Sequence, residues 1–289
     1  MTHLISQSFN PLRRALVRRV RAIFNDQARG EKPVIRSSDA LFPHGSVIWR
    51  VHGDVTTMMV GGVSALLLQM LHTAALAGIW DHSTFRDDML GRLRRTARFI
   101  AVTTFAERST AADAIARVKD VHSRVTGTLP NGEFYRADDP HLLAWVHVTE
   151  AICFLDAWIR YAEPNMSHAD QDMYFSQFAV VARALGADPA PETRAEAEAI
   201  IAQMRSQLTS DERTREVARM VLHQKAPSPA AAPVQAMIMQ AAADMLPEWA
   251  KRLHDLPDAK LAGPIARLST FCVASTLRWA FSGEAITQR

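Results

Sequence analysis

Apolar residues recur along most of this chain at the three- and four-residue steps of an α-helix, and few β-branched runs alternate with a period of two. This pattern predicts an all-α protein. Helices are expected over residues 60–80, 87–105, 110–126, 140–161, 167–185 and 192–208, followed by several more toward the carboxyl end.

The second and third expected helices form a hairpin. The apolar pattern is interrupted at residues 107–109, and Thr110 with Asp113 has the form of a capping box that would begin the third helix. In that helix one face carries Ala111, Ile115, Val118, His122 and Val125. We therefore expect His122 to point toward the core.

The facing helix offers polar groups at a matching height. Thr96 lies ten residues, roughly 15 Å, before the turn, and His122 lies twelve residues, roughly 18 Å, after it. Arg92, Arg95 or Thr96, and Phe99 share one face, so cations, a hydroxyl and an imidazole would converge on one cavity. Spacing alone favours a simpler interpretation, in which His122 is a hydrogen-bonded core residue and the arginines are solvated.

A series of motifs adds to this picture, because it runs in order from about Trp49 to Gly186. Its parts are Trp49-Arg50-Val51-His52-Gly53-Asp54, Gly61-Gly62, Ala65 to His72, His82-Ser83-x-Phe85, Arg92-x-x-Arg95-Thr96, Val121-His122-x-x-Val125-x-Gly127, Asn131-Gly132-x-x-Tyr135-x-Ala137-x-Asp139-Pro140, and Leu143-Ala144-Trp145-Val146-His147. In these residues the chain resembles the MpaB-type oxygenase family, which includes the latex-clearing rubber oxygenases. A string of this length is far more specific than a lone motif.

The resemblance implies one multi-helix domain with a globin-like core, which holds haem b and uses dioxygen to cleave carbon–carbon double bonds of isoprenoid chains. It implies that His122 is the proximal iron ligand. Arg92, Arg95 and Thr96 occupy the Arg-x-x-Lys-Thr positions that line the distal side and the haem edge in rubber oxygenases. The second ring nitrogen of His122 would need a carbonyl or carboxylate partner, which the sequence does not name.

Two departures from the rubber oxygenases stand out. Arg95 replaces a lysine that can ligate iron, and a guanidinium stays protonated and has no lone pair to donate. Residues 75–77, where those enzymes are expected to carry a catalytic glutamate, contain no carboxylate.

Other polar residues in the matched region have weaker claims. Asp54 is expected to cap the helix that follows it, whereas His52 fits either a cap or the pocket. His147 and Glu150 share a helical face at i and i+3, which suits either a metal or a buried hydrogen bond. A ferritin-like di-iron site is not expected, since the paired Glu-x-x-His repeats it requires are absent. His147 and His52 are therefore further candidates for the haem pocket.

The 289 residues, 48% of them hydrophobic, suffice for one large core or two modest ones. We expect a basic helical segment over residues 1–40, the oxygenase core over 41–225, and C-terminal helices packing on that core over 226–289, after the Pro-rich stretch 225–233. Residues 10–24 could form an amphipathic helix that touches anionic lipid, but packing on the domain is the preferred interpretation.

Charge and targeting signals narrow the class further. The formal net charge of +3, without a recognition motif, gives no argument for a nucleic-acid partner. Arginines interrupt any signal peptide, and the uncharged run 56–80 carries polar residues suited to a core helix, so a cytoplasmic protein is expected. Cys153 and Cys272 lie far apart and outside any Cys-x-x-Cys-His motif, so haem would be bound non-covalently and no disulfide is expected.

The function expected from the sequence is a haem-dependent oxygenase, acting with dioxygen on a hydrophobic, unsaturated isoprenoid- or lipid-like substrate. Rossmann and P-loop glycine patterns are absent, so any electrons would come from an external donor. Two alternatives remain: a haem-binding carrier or sensor without turnover, and a helical scaffold without a cofactor.

Overall fold

The computed structural model describes residues 33–226 and 229–256, together with Ser275. The described part is helical apart from one small hairpin, so the all-α prediction is confirmed. Its elements are α1 (Val47–His52), α2 (Val55–Gln69), α3 (Thr73–His82), α4 (Met89–Phe105), α5 (Arg108–His122), β1 (Thr126–Thr128), β2 (Phe134–Arg136), α6 (Pro140–Tyr161), α7 (His168–Leu185), α8 (Arg194–Met204), α9 (Glu212–Leu222), α10 (Ala232–Met245) and α11 (Glu248–Leu253).

Helix α2 lies at the centre of the fold and is buried on all sides, as expected for a helix without a polar face. Gly61 lets α6 approach closely, because a β-carbon there would lie 2.7 Å from the Cys153 carbonyl oxygen. On another side of α2, the Ser64 hydroxyl donates to the Ala242 carbonyl oxygen of α10 at 2.8 Å. The core is therefore built around the α2–α6 pair.

The expected continuous helix over residues 60–80 is wrong, because the chain bends by 104° between α2 and α3. The backbone N–H of Leu71 and that of His72 each bond three residues back, which tightens and ends α2. His72 is extended and precedes α3, while the Leu71 carbonyl accepts from Thr209, a residue far along the chain. A long-range hydrogen bond thus stabilises this break between the helices. No Pro or Gly at this point predicts it from the sequence.

Helix α5 begins and ends earlier than the predicted range 110–126. Its start at Arg108 is set by a bridge between Ala40 and Glu107 and by the bond from the Arg108 N–H to the Asp39 carbonyl, so the proposed capping box at Thr110 is wrong. Its end at His122 comes early because Thr126 already belongs to β1. The predicted inward face is confirmed, since its members are buried or half-buried.

The β1–β2 hairpin follows α5 directly and docks on α3. Tyr135 is buried, and its hydroxyl donates to Asp81 of α3 at 3.1 Å. The antiparallel ladder pairs Thr126 with Arg136, and the Ala137 N–H continues it with a bond to the Val125 carbonyl. The chain that leaves β2 is therefore held beside the carboxyl end of α5.

The remaining predicted helices agree with the structure to within a few residues. The range 140–161 matches α6, 87–105 matches α4, and 167–185 matches α7, whose N-cap is Ser167. The range 192–208 is shortened to α8 and a 3₁₀ turn. Asp54 caps α2 as predicted, accepting from the N–H groups of Thr56 and Thr57 at 3.0 Å each.

Several predictions fall outside the described residues: the amphipathic helix over 10–24, most of the segment 1–40, Cys272 and most of the region after 256. Within the described part, α6 is long and apolar enough to cross a membrane, and 67% of its most apolar window is buried. The bent pair α2 and α3 would count as another such segment only if taken together as one span.

Candidate functional site

The antiparallel pair α4 and α5 brings Arg92 into electrostatic range of His122. Two residues join these helices, so positions equally far from the connection lie at the same height. Because α5 starts at Arg108, the residue level with His122 is near Arg92, one turn before the predicted Thr96. The expected convergence of a cation and an imidazole is thus present, with Arg92 as the cation.

A third helix, α6, adds the carboxyl group of Glu150. The sequence left open whether this residue serves a metal site or a buried hydrogen bond. Glu150 of α6 interacts electrostatically with Arg92. Burial raises the pKa of Glu150 to about 7, while the Gln69 amide and the Arg92 guanidinium oppose this rise. Burial, together with the neighbouring charge of Arg95, lowers the pKa of Arg92 to about 10, and Glu150 opposes that change.

Arg92, His122 and Glu150 come from three helices, α4, α5 and α6, and their side chains are half-buried. Burial is nevertheless the largest cause of the pKa shift of all three, so protein atoms surround much of each group. Each group also retains accessible surface, so an added ligand could contact it.

His122 is suited to act as a neutral ligand. Burial lowers its pKa below the ordinary value, with Arg92 acting in the same direction and Asp138 opposing it. No hydrogen bond from a described residue occupies its ring. Within the described ranges, no group of three or more His, Cys, Asp or Glu residues could hold a metal ion. This site thus offers a single imidazole, which suits a metal whose other ligands come from a prosthetic group.

The second ring nitrogen of His122 is expected to have a carbonyl or carboxylate partner. Asp138 is the carboxylate whose charge acts on this imidazole. The bond from Ala137 to Val125 holds the chain after β2 against the end of α5, which places Asp138 where its charge acts on the imidazole. Arg136 holds Asp138 through two hydrogen bonds, at 2.5 and 2.7 Å, and so keeps the pKa of that carboxyl low. Asp138 remains ionised beside His122.

His52 and His147 form a second, fully enclosed cluster. The His52 ring lies 2.8 Å from the Thr104 hydroxyl through Nδ1 and 3.0 Å from the Tyr174 hydroxyl through Nε2. Phe178 contacts both imidazoles, with ring centroids 5.2 Å from His52 and 4.3 Å from His147. Burial lowers the pKa of both histidines to about 3, and at His52 the charge of His147 adds to this effect.

Residues of α7 and α6 link the cluster of His52 and His147 to the group formed by Arg92, His122 and Glu150. Tyr174, which bonds to His52, also feels the charge of Glu150, and burial raises its pKa well above the ordinary value. His147 lies one turn before Glu150 on α6, and its buried Nε2 has no hydrogen-bond partner in the described part of the chain. His52 and His147 are therefore brought together around Phe178.

The other predicted site residues lie at the surface of α4. The Arg95 side chain is 52% exposed and pairs with Asp88, the N-cap of the same helix, at 3.6 Å. Thr96 is exposed. Arg95 still contributes its charge to the environment of Arg92, whereas the exposed Thr96 makes no side-chain hydrogen bond within the part of the chain that the structure describes.

Sequence reasoning gave no site role to Asp138 or Gln69, and it left Glu150 without a partner. One signal for Glu150 was available: it is the only Asp, Glu, Lys or Arg between Asp139 and Asp156, in a stretch that is mostly apolar. A single charge in such a stretch has a functional or pairing reason, because unpaired burial of a carboxylate is costly. The partners themselves come from other helices and could not be named.

Comparison with known protein families adds one match. A family model described as ER-bound oxygenase mpaB/B'/Rubber oxygenase, catalytic domain, matches residues 49–279. The match begins at Trp49, where the motif series begins, and continues well past Gly186, where the recognisable motifs end. No curated protein and no solved structure matches the chain.

Proposed function

This chain belongs to the family of the mpaB and rubber oxygenase catalytic domains, and on that premise we propose that it is a haem b-dependent oxygenase for a hydrophobic, unsaturated substrate. The substrate class proposed is isoprenoid- or lipid-like, with oxidative cleavage of a carbon–carbon double bond as the reaction. The observation that carries the proposal is the placement of His122, an imidazole whose lowered pKa favours its neutral form, within electrostatic range of the half-buried guanidinium of Arg92.

These residues fit a haem. A neutral imidazole is the usual single protein ligand of a b-type haem, and guanidinium groups pair well with propionate carboxylates. His122 would hold the iron, and Arg92 and Arg95 would bind the propionates. When bound, the haem would supply the activation of dioxygen.

The chain's own groups set the conditions for that chemistry. The face of α5 that carries His122 also presents Ile115 and Val118, both half-buried, as an apolar wall for a hydrocarbon chain. Asp138 holds negative charge beside the imidazole and so favours its role as an electron donor. Thr96, which is exposed, would hydrogen-bond a water near the site.

The first test is haem binding. Protein produced with ample haem is examined by ultraviolet–visible spectroscopy and a pyridine haemochrome assay, as wild type, His122→Ala and His141→Ala. His141 is an exposed histidine of α6 and serves as the matched control. We expect stoichiometric haem b in the wild type and the control, and its loss in His122→Ala. Normal haem content and spectrum in His122→Ala would rule out His122 as the ligand.

The second test is turnover. Oxygen uptake by the haem-loaded protein is measured with squalene as an unsaturated isoprenoid probe, with squalane as the saturated control. Uptake that depends on the double bonds supports the oxygenase. Haem binding without uptake in any such assay favours a haem carrier or sensor, and a haem-free wild type favours a helical scaffold.

A further inference from the structure

Several residues of the family motifs have no role in the proposed site, and four of them meet in the chain that follows His122. His82, Val125, Gly127 and Tyr135 belong to three separate motifs of the sequence. The structure brings them together where α5 passes into β1. Their shared position next to the candidate iron ligand calls for an explanation of what their contacts achieve.

One face of α3 forms the surface on which the β1–β2 hairpin packs. Its residues recur at helical spacing and are Ala74, Ala77, Gly78, Asp81 and His82. A β-carbon at Gly78 would lie 3.6 Å from the Val125 side chain and 3.9 Å from the Tyr135 ring. The small residues of this face therefore let the chain that follows α5 approach α3 closely.

The two polar residues at the end of this face bond to the hairpin. Asp81 accepts a hydrogen bond from the Tyr135 hydroxyl at 3.1 Å, and Nε2 of His82 lies 3.0 Å from the Thr126 carbonyl oxygen. Because a carbonyl oxygen only accepts, this ring nitrogen carries the proton and donates it. Both strands of the hairpin are thus bonded to the same end of α3.

The short segment between α5 and the hairpin is held on its other side by β2. The Val125 carbonyl oxygen accepts from the Ala137 N–H at 2.9 Å. The Tyr135 ring covers Gly127 so closely that a β-carbon there would lie 2.7 Å from the hydroxyl oxygen. In the other direction, the Val125 N–H donates to the His122 carbonyl oxygen at 3.1 Å, which joins the held segment to the last residue of α5.

His122 needs support of this kind if it binds a metal. It is the last residue of α5, and the ends of helices open more easily than their middles. A metal ligand has to be held within about 0.5 Å and about 10–20° of its productive geometry. The contacts of α3 and β2 with residues 125–127 supply a restraint that α5 itself does not provide at its end.

We propose that Tyr135 and His82 are positioning residues for His122: by holding residues 125–127 against α3, they fix the direction in which the end of α5 presents its imidazole. The ligand that this imidazole would meet is the haem iron, and to that extent the inference rests on the proposed function. The restraint on the imidazole does not itself depend on haem, so it can be measured in the protein without haem.

The first arm of the test follows the His122 ring by nuclear magnetic resonance, in full-length protein without haem. Histidines labelled with ¹³C at Cε1 give one ring signal each, and comparison with His122→Ala identifies the signal of His122. We expect a single sharp signal in the wild type and a broadened or split one in Tyr135→Phe and in His82→Leu. Tyr161→Phe changes another buried tyrosine, on α6, and as the matched control should leave the signal unchanged.

Conservative variants test whether the hydrogen bonds themselves matter. Asp81→Asn keeps an oxygen that accepts from Tyr135, and His82→Gln keeps an N–H for the Thr126 carbonyl. Both should retain the sharp His122 signal, whereas Asp81→Leu should behave like Tyr135→Phe. Hydrogen exchange of residues 125–137, followed by mass spectrometry, should be roughly twofold to tenfold faster in Tyr135→Phe, as expected for the loss of one hydrogen bond.

The second arm uses the haem-loaded protein. The resonance Raman spectrum of its ferrous form contains an iron–histidine stretching band, which reports directly on the bond to the ligand. We expect a narrow band in the wild type, in Tyr161→Phe and in His82→Gln. In Tyr135→Phe and His82→Leu the band should be broadened or shifted, because the imidazole then occupies a range of orientations.

The outcomes separate the two proposals. A wild type that binds no haem overturns the proposed function, while the ring signal of the protein without haem still decides whether His122 is positioned by the hairpin. A His122 signal that is unchanged in Tyr135→Phe and His82→Leu overturns the positioning role, even if the hairpin exchanges faster. Circular dichroism checks that each variant is folded; if Tyr135→Phe unfolds, His82→Leu, which changes an exposed residue, decides alone.

Discussion

Gly61 of α2 lies against the backbone of Phe154 in α6, so closely that a β-carbon at Gly61 would be 2.8 Å from the Phe154 α-carbon. At Gly62, one position along, a β-carbon would meet only the edge of the Phe154 ring at 3.5 Å. The two adjacent glycines therefore differ in kind, the first being required by packing and the second being replaceable.

Gly61→Ala should destabilise the protein by about 1–3 kcal/mol, because α2 and α6 must separate to accommodate the methyl group. Gly62→Ala should be neutral or stabilising by up to about 1 kcal/mol, since alanine favours a helix over glycine. Urea unfolding of the two variants provides the comparison. Equal effects at the two positions would contradict the close approach of α2 and α6.

Asp54→Ala should lower the free energy of unfolding by about 1 kcal/mol, and at most about 2, because the N–H groups of Thr56 and Thr57 lose their acceptor. Asp54→Asn keeps an acceptor oxygen at the N-cap and should retain most of the stability. Denaturant unfolding of both variants checks the cap. An asparagine variant as unstable as the alanine variant would point instead to another interaction of the carboxylate.

Tyr174→Phe should cost about 1–3 kcal/mol, because it leaves Nε2 of the buried His52 without its partner at 3.0 Å. In a His52→Leu background the same change should cost much less, since no imidazole then needs the hydroxyl. A double-mutant cycle measured by thermal unfolding isolates this coupling. Additive costs would show that the hydroxyl acts independently of His52.

Acid should lower the stability of the folded protein, because the buried His147 is neutral. Its pKa in the folded protein is about 3, below the ordinary value of 6.5, so between these values the unfolded chain binds a proton that the folded protein does not. Stability contributed by neutral His147 is thus present above about pH 6.5 and is lost as the pH falls toward about 3, by up to about 1.4 kcal/mol per pH unit.

His147→Leu lacks this proton and should therefore gain stability relative to the wild type as the pH falls through that window. Glu150 contributes with the opposite sign, because its raised pKa makes the folded protein the stronger proton binder up to about pH 7. The free energy of unfolding of the wild type and of His147→Leu is measured in urea at several pH values. Subtracting one curve from the other removes the contribution of Glu150, which both proteins share. Parallel curves would contradict a buried, neutral His147.

Sequence periodicity predicted the helices and the meeting of α4 with α5, because both depend on local spacing and a short connection. The residue of α4 that lies level with His122 was predicted as Thr96 and is near Arg92, one turn earlier. The error arises because pairing of Ala40 with Glu107 starts α5 early. The break between α2 and α3 was missed for a similar reason, since the Leu71 carbonyl is bound by the distant Thr209. Contacts of this kind leave no periodic signal.

The candidate site could be anticipated only in part. Helical faces and the family motifs point to Arg92 and His122, which the structure brings into electrostatic range of each other, and their role in haem binding stays a prediction. Glu150 and Gln69 belong to other helices, whose positions relative to α4 cannot be read from spacing. The place of His147 in a haem pocket also stays a prediction, and its ring packs on Phe178, which contacts His52 as well.

The two arginines of the site differ in how firmly they are held. Ion pairs at an exposed position contribute only about 0–1 kcal/mol, so Arg95 can leave Asp88 for another anion almost without cost. Arg92 is half-buried, and burial is the largest cause of its lowered pKa. Dissolved salt should therefore screen the charge of Arg95 more strongly than that of Arg92, because ions reach an exposed group more readily than a partly buried one.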